Sequence, residues 1–155
     1  MELLMRDVSI TDAKVLLAWR NELDVQKVSR RHEHLSSQEH SEWLTNRLRL
    51  LPGQPFWIFE AKTFNVGIVR FDFDFALKHF EISITVNSEL RGKGFGKIIL
   101  PLAIENCLAR HPSTDFYAEA HQDNIASRLL FLKCGFEEIQ PRGNYLVFKR
   151  IANSN

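Results

Sequence analysis

The stretch that decides the fold is Glu81-Ile-Ser-Ile-Thr-Val-Asn-Ser-Glu-Leu-Arg-Gly-Lys-Gly-Phe-Gly-Lys97. Polar residues alternate with β-branched ones up to Val86, which predicts a strand. Three glycines then open a long helical pattern: Gly92, Gly94 and Gly96. The first amides of a helix have no internal partner and carry partial positive charge. Residues 91–97, called the glycine loop below, therefore predict an anion-binding site.

A diphosphate is the anion that fits the glycine loop best. Glycines let the backbone approach phosphate oxygens closely, so that several N–H groups can donate at once. The loop also carries three cationic side chains: Arg91, Lys93 and Lys97. Its G-x-G-x-G order in mid-chain differs from the dinucleotide-binding G-x-G-x-x-G and from the P-loop pattern. A glycine-rich turn that binds nothing is the remaining alternative.

The composition is that of an ordinary globular protein. The chain has 155 residues, of which 45% are hydrophobic and 25% charged, so we expect one domain over residues 1–155. The net charge of +1 lacks the basic excess of nucleic-acid-binding proteins. The charged N-terminus and the absence of a long apolar run predict a cytoplasmic protein with no membrane partner. Cys107 and Cys134 form no CxxC pair and are expected to be reduced, buried thiols.

The whole pattern predicts an α+β fold, an α/β sandwich around a mixed sheet. Strands are predicted at Met1–Arg6, Phe56–Ala61, Val66–Phe75, Phe80–Val86, Phe116–Ala120 and Tyr145–Ile151. Helices are predicted after Ser9 or Thr11, after the capping box of Ser36 and Glu39, and over Gly94–Ala109 and Asn124–Lys133.

Two motifs resemble the GNAT acetyltransferase superfamily. Arg91-x-x-Gly94-x-Gly96 matches that family's [R/Q]-x-x-G-x-[G/A] acyl-CoA signature. The second motif resembles the family's other CoA-contacting helix: Asn124-x-x-Ser127, Leu130-Phe131 and Gly135-Phe136. The resemblance covers residues 56–136 well and the N-terminal helices more loosely. It implies acetyl-CoA as co-substrate, no metal, about four helices, and a mostly antiparallel sheet splayed between strands 4 and 5.

The resemblance also implies which residues contact acetyl-CoA. The pantetheine would pair with the backbone of Ile84 and Val86 in the gap between the splayed strands. The pyrophosphate would bind the amides of Arg91, Gly92, Lys93, Gly94, Phe95, Gly96 and Lys97. The second helix would add contacts from Asn124, Ser127 and Phe131. An ordinary helix N-cap is the alternative role of the asparagine.

In such enzymes a free amine attacks the thioester directly in a ternary complex, and a base helps the ammonium lose its proton. Glu81 opens the fourth strand, where several GNAT enzymes place this carboxylate, although an ordinary strand-end glutamate is the alternative. His121 is a candidate proton shuttle, with a loop-facing histidine as the alternative. Phe131 replaces the tyrosine that commonly protonates the departing thiolate. Candidates to supply that proton instead are Tyr117, Tyr145 and Ser127.

The acceptor prediction depends on the N-terminal helices. Residues 16–22, LLAWRNE, and the pattern His40-x-x-Trp43-Leu44 resemble the branch that acetylates UDP-linked 4-amino sugars of the pseudaminic acid pathway, which serves cell-surface glycans. Guanidinium, amide and imidazole groups bind phosphates and hydroxyls, and indoles offer stacking faces. The substrate-binding candidates are Arg20, Asn21, Arg30, His40 and Trp43. The alternative is that the tryptophans are core residues with incidental polar neighbours.

Other functions stay open. Ribosomal-protein or other N-terminal acetylation needs an open groove, which sequence does not reveal. A polyamine acceptor favours a carboxylate-rich pocket, and the N-terminal helices lack such a cluster. A non-catalytic acyl-CoA binding module is the alternative of another class, motivated by Phe131. The run His32-Glu33-His34 lacks further ligands at a suitable spacing and predicts no metal site. Both a monomer and a homodimer fit the sequence.

Overall fold

The computed structural model describes residues 2–22 and 34–152. Within these ranges the strands are β1 Leu4–Asp7, β2 Phe56–Ala61, β3 Phe64–Asp74, β4 His79–Val86, β5 Asp115–His121, β6 Glu137–Arg142 and β7 Tyr145–Arg150. The α-helices are α1 Ala13–Arg20, α2 Ser37–Leu48, α3 Gly96–Arg110 and α4 Ile125–Lys133. Short 3₁₀ turns lie at Ile10–Asp12 and Ser88–Leu90.

The seven strands form one sheet in the order β1-β2-β3-β4-β5-β7-β6. Among the described strand pairs, β4 with β5 is parallel and the other five are antiparallel. A parallel pair needs a crossover connection, and α3 supplies it. The mixed, mostly antiparallel sheet with about four helices is therefore confirmed.

The strands β4 and β5 separate in the middle of the sheet. Their pairing runs from His79 opposite Asp115 to Glu81 opposite Tyr117 and ends there. Both strands continue, β4 to Val86 and β5 to His121, without pairing again. The predicted splay is confirmed, and Glu81 lies at its apex.

Helices cover both faces of the sheet. On one face, α3 and α4 pack against an aromatic core that includes Trp57, Phe71, Phe80, Phe116 and Phe148, each at most 2% exposed. On the other face, α1 and α2 cover β2 with a smaller cluster: Val8, Leu16, Trp19, Leu44, Phe56 and Ile58. The second cluster ends at β3, so the part of this face formed by β4 and β5 is left for polar side chains.

A buried arginine fastens α2 to the sheet. The Arg47 guanidinium donates from Nε to Asp72 Oδ1 at 2.7 Å. Its terminal nitrogens donate to the carbonyls of Gln54, at 2.9 Å, and Phe71, at 2.7 Å. Burial lowers the pKa of Arg47, and the adjacent carboxylate opposes that effect. A charge this deep is tolerated only because its donors are satisfied.

Several predicted boundaries were wrong, and one strand was missed. Helix α3 begins at Gly96 rather than Gly94, because Gly92 and Gly94 adopt φ values of +77° and +84° that a helix does not allow. Strand β3 begins at Phe64 rather than Val66. The missed strand β6 is exposed along its whole length and contains Pro141, so no apolar alternation marks it.

Helix α3 continues through Pro101 to Arg110. It is the longest of the four described helices at 15 residues, and none of the four could span a bilayer.

Candidate active site

A cavity of about 450 Å³ opens where β4 and β5 separate. Its walls come from four strands and one helix, so a ligand inside it would touch both halves of the sheet. From β3 and β4 it is lined by Arg70, Asp72, Glu81, Ile82, Ser83 and Ile84. The other wall is formed by Glu119, Ala120, His121, Asn124, Ser127, Phe131 and Tyr145.

Carboxylates lie on both sides of this cavity. Glu81 of β4 is paired in register with Asp72 of β3, and both line the cavity. Glu119 of β5 faces the cavity from the opposite wall. Sequence reasoning missed Glu119, although its alternation with Tyr117 and His121 on one face of β5 was the available signal. An ammonium group entering here would meet carboxylates from three strands.

The His121 imidazole lies at the end of β5, on the cavity wall. Its Nδ1 accepts a hydrogen bond from the Asp123 backbone N–H at 3.2 Å. A neutral ring whose Nδ1 accepts carries its proton on Nε2. The ring also meets Tyr145 edge-on, with 5.6 Å between ring centroids. The structure thus places the His121 ring on the cavity wall, and its role as a proton shuttle stays a prediction.

The glycine loop leaves room for an anion. A side chain built on Gly92 or Gly94 would meet no atom within 4 Å, so both positive-φ glycines border open space. At Gly96 an added Cβ would come within 3.2 Å of Leu130 on α4, so this glycine lets two helices approach closely. The amides of Gly96 and Lys97, at the start of α3, donate to no carbonyl of the described residues. These features fit a diphosphate.

Of the two β4 residues predicted to pair with the pantetheine, one lines the cavity and the other lies beside the glycine loop. Ile84 lines the cavity, whereas Val86 packs against the core beside the glycine loop. Arg91 contacts Glu22 beyond the end of α1, with 3.5 Å between Nη2 and Oε2. Ser88 donates to the same carboxylate at 3.2 Å. The residue two positions after α1 is therefore in direct contact with the glycine loop.

The candidates on α4 line the cavity with its N-terminus and one buried ring. Asn124 Oδ1 accepts from the Ser127 backbone N–H at 3.1 Å, so the predicted N-cap is present, and both residues line the cavity. The Phe131 ring is 2% exposed and lies 5.3 Å from the rings of Phe136 and Phe148. It closes the inner end of the cavity and has no proton to donate.

Of the three residues predicted as alternative proton donors to the thiolate, two line the cavity and one does not. Ser127 and Tyr145 line the cavity. Tyr117 instead stacks on His79 with 4.9 Å between ring centroids and does not line it. The hydroxyls of Ser127 and Tyr145 are therefore the ones close to the site.

The predicted acceptor residues form a cluster beside the cavity but do not line it. Asn21 exchanges two hydrogen bonds with the backbone of Leu35, at 2.8 and 2.9 Å, and so joins the end of α1 to the approach of α2. His40 is buried, and burial together with nearby Arg20 lowers its pKa. Trp43 is 40% exposed and lies 5.6 Å from the His40 ring. The remaining candidate, Arg30, lies outside the described residues.

Arg70 connects this cluster to the cavity. Its guanidinium carbon lies 5.0 Å from the Trp43 ring centroid, and the residue also lines the cavity. Sequence reasoning missed both Arg70 and Asp72. The signal was present, because Arg70, Asp72 and Asp74 alternate along β3 on one face.

Thiol and metal chemistry find no support at this site. Burial raises the pKa of the Cys107 thiol to about 12, and burial also raises the pKa of Cys134. Neither thiol is therefore a thiolate at neutral pH. Among residues 2–22 and 34–152, no three His, Cys, Asp or Glu side chains gather as a metal would require. His32 and Glu33 lie outside this part of the chain.

Known proteins share this architecture. Residues 2–137 match the family model of the acetyltransferase (GNAT) domain. A domain from Methanocaldococcus jannaschii aligns over 97% of this chain and 98% of its own, with a TM-score of 0.82 and 24% identity. The ribosomal-protein-alanine N-acetyltransferase of Brucella melitensis is 25% identical over 96% of this chain and 99% of its own, with a TM-score of 0.77.

A third structure is that of spermidine N-acetyltransferase from Vibrio cholerae in complex with CoA and spermine, which is 18% identical. It covers 95% of this chain and 92% of its own, with a TM-score of 0.81. No curated protein sequence matches the chain. The family match spans most of the sequence and includes both predicted CoA motifs. The chain therefore belongs to the GNAT acetyltransferase family, whose acyl donor is acetyl-CoA.

Proposed function

We propose that this acetyltransferase acetylates the amino group of a nucleotide-linked 4-amino-deoxysugar. The observation that supports it is the series of contacts from the buried His40 ring to the half-exposed Trp43 ring and on to Arg70, which lines the cavity beside Glu81. An indole face with cations around it suits a sugar that carries a diphosphate. The same N-terminal helices carry the sequence resemblance to the amino-sugar branch.

The donor binds in the gap of the sheet. The amides of residues 91–97 hold its pyrophosphate, while Ile84 and the N-terminus of α4 border its pantetheine arm. Acetyl-CoA, when bound, supplies a thioester carbonyl that a neutral amine can attack. The N–H groups along the unpaired edge of β4 polarise that carbonyl by donating hydrogen bonds.

The amine arrives protonated and must become neutral before it reacts. Glu81 lies at the apex of the splay and accepts this proton, directly or through one water. His121, whose neutral ring carries its proton on Nε2, relays protons between the cavity and solvent. Tyr145 or Ser127, both of which line the cavity, donates a proton to the leaving thiolate in place of the tyrosine that Phe131 replaces.

A protein N-terminus is the second candidate acceptor. It is supported by the likeness to the Brucella enzyme and by the wide mouth of the splay, which an extended peptide could also enter. A peptide would use the same proton acceptor, Glu81, and the same donor site. The two proposals differ only in the acceptor.

Thiol release separates these acceptors. The chain is incubated with acetyl-CoA and, in turn, a UDP-linked 4-amino-deoxysugar, spermidine, and a peptide with an N-terminal alanine. Free CoA thiol is measured with a thiol reagent. Gly94→Asp is the control, because its carboxylate repels the phosphates and should remove activity with every acceptor.

We expect the nucleotide sugar to give the highest kcat/KM. A higher value for the peptide or for spermidine would contradict the sugar assignment and leave the acetyltransferase intact. If the chain binds acetyl-CoA but releases no thiol with any of the three, the proposal fails in favour of an acyl-CoA binding module.

A further inference from the structure

One guanidinium in the cavity wall takes no part in the proton transfers proposed above. Arg70 lies on β3 directly opposite Ser83 of β4 and lines the cavity. Its side chain is 27% exposed, so it is neither a core residue nor a freely solvated one. A guanidinium in this position attracts anionic groups that enter the cavity and repels cationic ones.

The Arg70 side chain is held in one orientation. Nε donates to Asp72 Oδ2 at 2.8 Å, and Nη2 donates to Ser83 Oγ at 3.4 Å. The group also lies over the Trp43 ring, an arrangement that stabilises a cation. Its remaining terminal nitrogen, Nη1, donates to no residue in the described part of the chain. The guanidinium is therefore preorganised and keeps donors for a ligand.

The carboxylate that pairs with Arg70 is shared with a second guanidinium. Asp72 is the carboxylate that pairs with Arg70, but Oδ1 of the same carboxylate is bound by the buried Arg47. Two guanidinium groups thus share one carboxylate. Asp72 is therefore not available to Arg70 alone, and its charge neutralises the Arg70 guanidinium only in part.

Negatively charged side chains also line the cavity near Arg70. Glu81 lies two residues from Ser83 along β4, about 7 Å at the usual rise of a strand, and Glu119 of β5 lines the other wall of the cavity. The cavity therefore offers a carboxylate, Glu81, that suits an ammonium and a guanidinium, Arg70, that suits an anion. The second ammonium of a polyamine would be repelled by Arg70 if the first were bound at Glu81.

We propose that Arg70 is a specificity-determining residue that binds an anionic group of the acceptor, a phosphate or a carboxylate, while the acceptor amine faces Glu81. The inference rests on the proposed function, because it assumes that the acceptor amine is acetylated in this cavity. It defines the substrate class more closely, as amines that carry an acidic group.

Binding to the CoA-saturated protein tests this, since CoA occupies the glycine loop and prevents anions from binding there. Calorimetry compares UDP with uridine, and 4-aminobutyrate with putrescine. The variants are Arg70→Gln, Arg70→Lys, and Arg49→Gln as a control that removes an exposed guanidinium from the end of α2. Asp72 keeps Arg47 as a partner in all three, and the lysine variant carries the test if the glutamine variant does not fold.

We expect the wild type to prefer the anionic member of at least one pair by roughly tenfold or more, as charge-assisted hydrogen bonds allow. Arg70→Gln should remove the preference, Arg70→Lys should reduce it, and Arg49→Gln should keep it. A preference in the UDP pair alone assigns a phosphate, and one in the aminobutyrate pair alone assigns a carboxylate.

Equal affinities within both pairs for the wild type would overturn the inference. So would a preference that survives in both Arg70 variants, or one that Arg49→Gln removes equally. The assay needs no turnover, so its failure is distinguishable from failure of the proposed function, which would appear as absent thiol release with the nucleotide sugar.

Discussion

At the scale of single residues, the position of Glu81 along β4 determines where its carboxylate lies. It is the last residue of β4 that pairs with β5, so its side chain lies where the sheet opens. A carboxylate one residue earlier or later would project from the other face of the strand. The residue that we propose as proton acceptor is thus placed by strand register.

Replacement of Glu81 tests this role. We expect Glu81→Gln to lower kcat about 100-fold at low pH, since general bases contribute factors of this order. The loss should shrink as pH rises, because more of the amine is already neutral. Rates with saturating acetyl-CoA from pH 6 to 9 measure this, with Glu105→Gln on the exposed side of α3 as control. An unchanged pH–rate profile in Glu81→Gln would remove the residue from the mechanism.

The sequence predicted part of this site and omitted the rest for a physical reason. Glu81, His121 and Asn124 were found because each follows or begins an element that local patterns reveal. Arg70 and Glu119 were not, because the alternation along each strand indicates only a shared face, whereas their place in the cavity depends on how β3 meets β4 and how β5 diverges from it. Register between distant strands is a tertiary property that no local spacing encodes.

At the scale of elements, α4 combines a structural cap with a ligand site. Asn124 offers one oxygen to the helix N-terminus and borders the cavity as well. The two roles use different atoms of the amide: Oδ1 caps the helix, and Nδ2 can donate to a ligand. They can therefore be separated by substitution.

We expect Asn124→Ala to lose about 1 kcal/mol of unfolding free energy, as removal of an N-cap usually does. Asn124→Asp keeps a capping oxygen and should retain stability, because a carboxylate also suits a helix N-terminus. Acetyl-CoA affinity should fall in both variants, since neither can donate. Chemical denaturation and calorimetric titration measure the two effects. Wild-type affinity in Asn124→Asp would show that Asn124 is a cap only.

Elements with clear periodicity were predicted well, as β2, β4 and α2 show. The exposed strand β6 was not predicted, because its side-chain pattern carries no strand signal. Only its pairing with β7 makes it a strand. The order β5-β7-β6 was equally hidden, since it depends on where the last hairpin docks. Hairpin docking buries side chains of both partners, and a single strand's sequence describes only one of them.

At the scale of the whole molecule, two buried histidines make stability depend on pH. Burial is the main cause that lowers the pKa of His40 and of His79. The unfolded chain therefore takes up protons first as the pH falls. The stability that neutral histidines contribute is fully present above the unfolded value of about 6.5 and is lost as pH falls from there towards the lower folded-state pKa.

We expect the unfolding free energy to fall between pH 7 and 5, with a slope of at most about 1.4 kcal/mol per pH unit for each histidine. His40→Gln should reduce this slope and leave the part due to His79. Equilibrium denaturation at several pH values measures it, with His34→Gln, which alters an exposed position, as control. A wild-type slope in His40→Gln would contradict the assignment.

The two edge strands of the sheet also determine how readily copies of the molecule pair edge to edge. Strand β6 ends the sheet on one side with no buried residue, charges at Glu137, Glu138 and Arg142, and a proline at 141 that cannot donate a hydrogen bond. At the far side, Arg6 of β1 is bound to Glu60 of β2 and so keeps a charge at the rim. An incoming strand would have to desolvate these groups without full backbone pairing in return. These features disfavour pairing of another strand at either edge of the sheet, and such edge-to-edge pairing leads to amyloid.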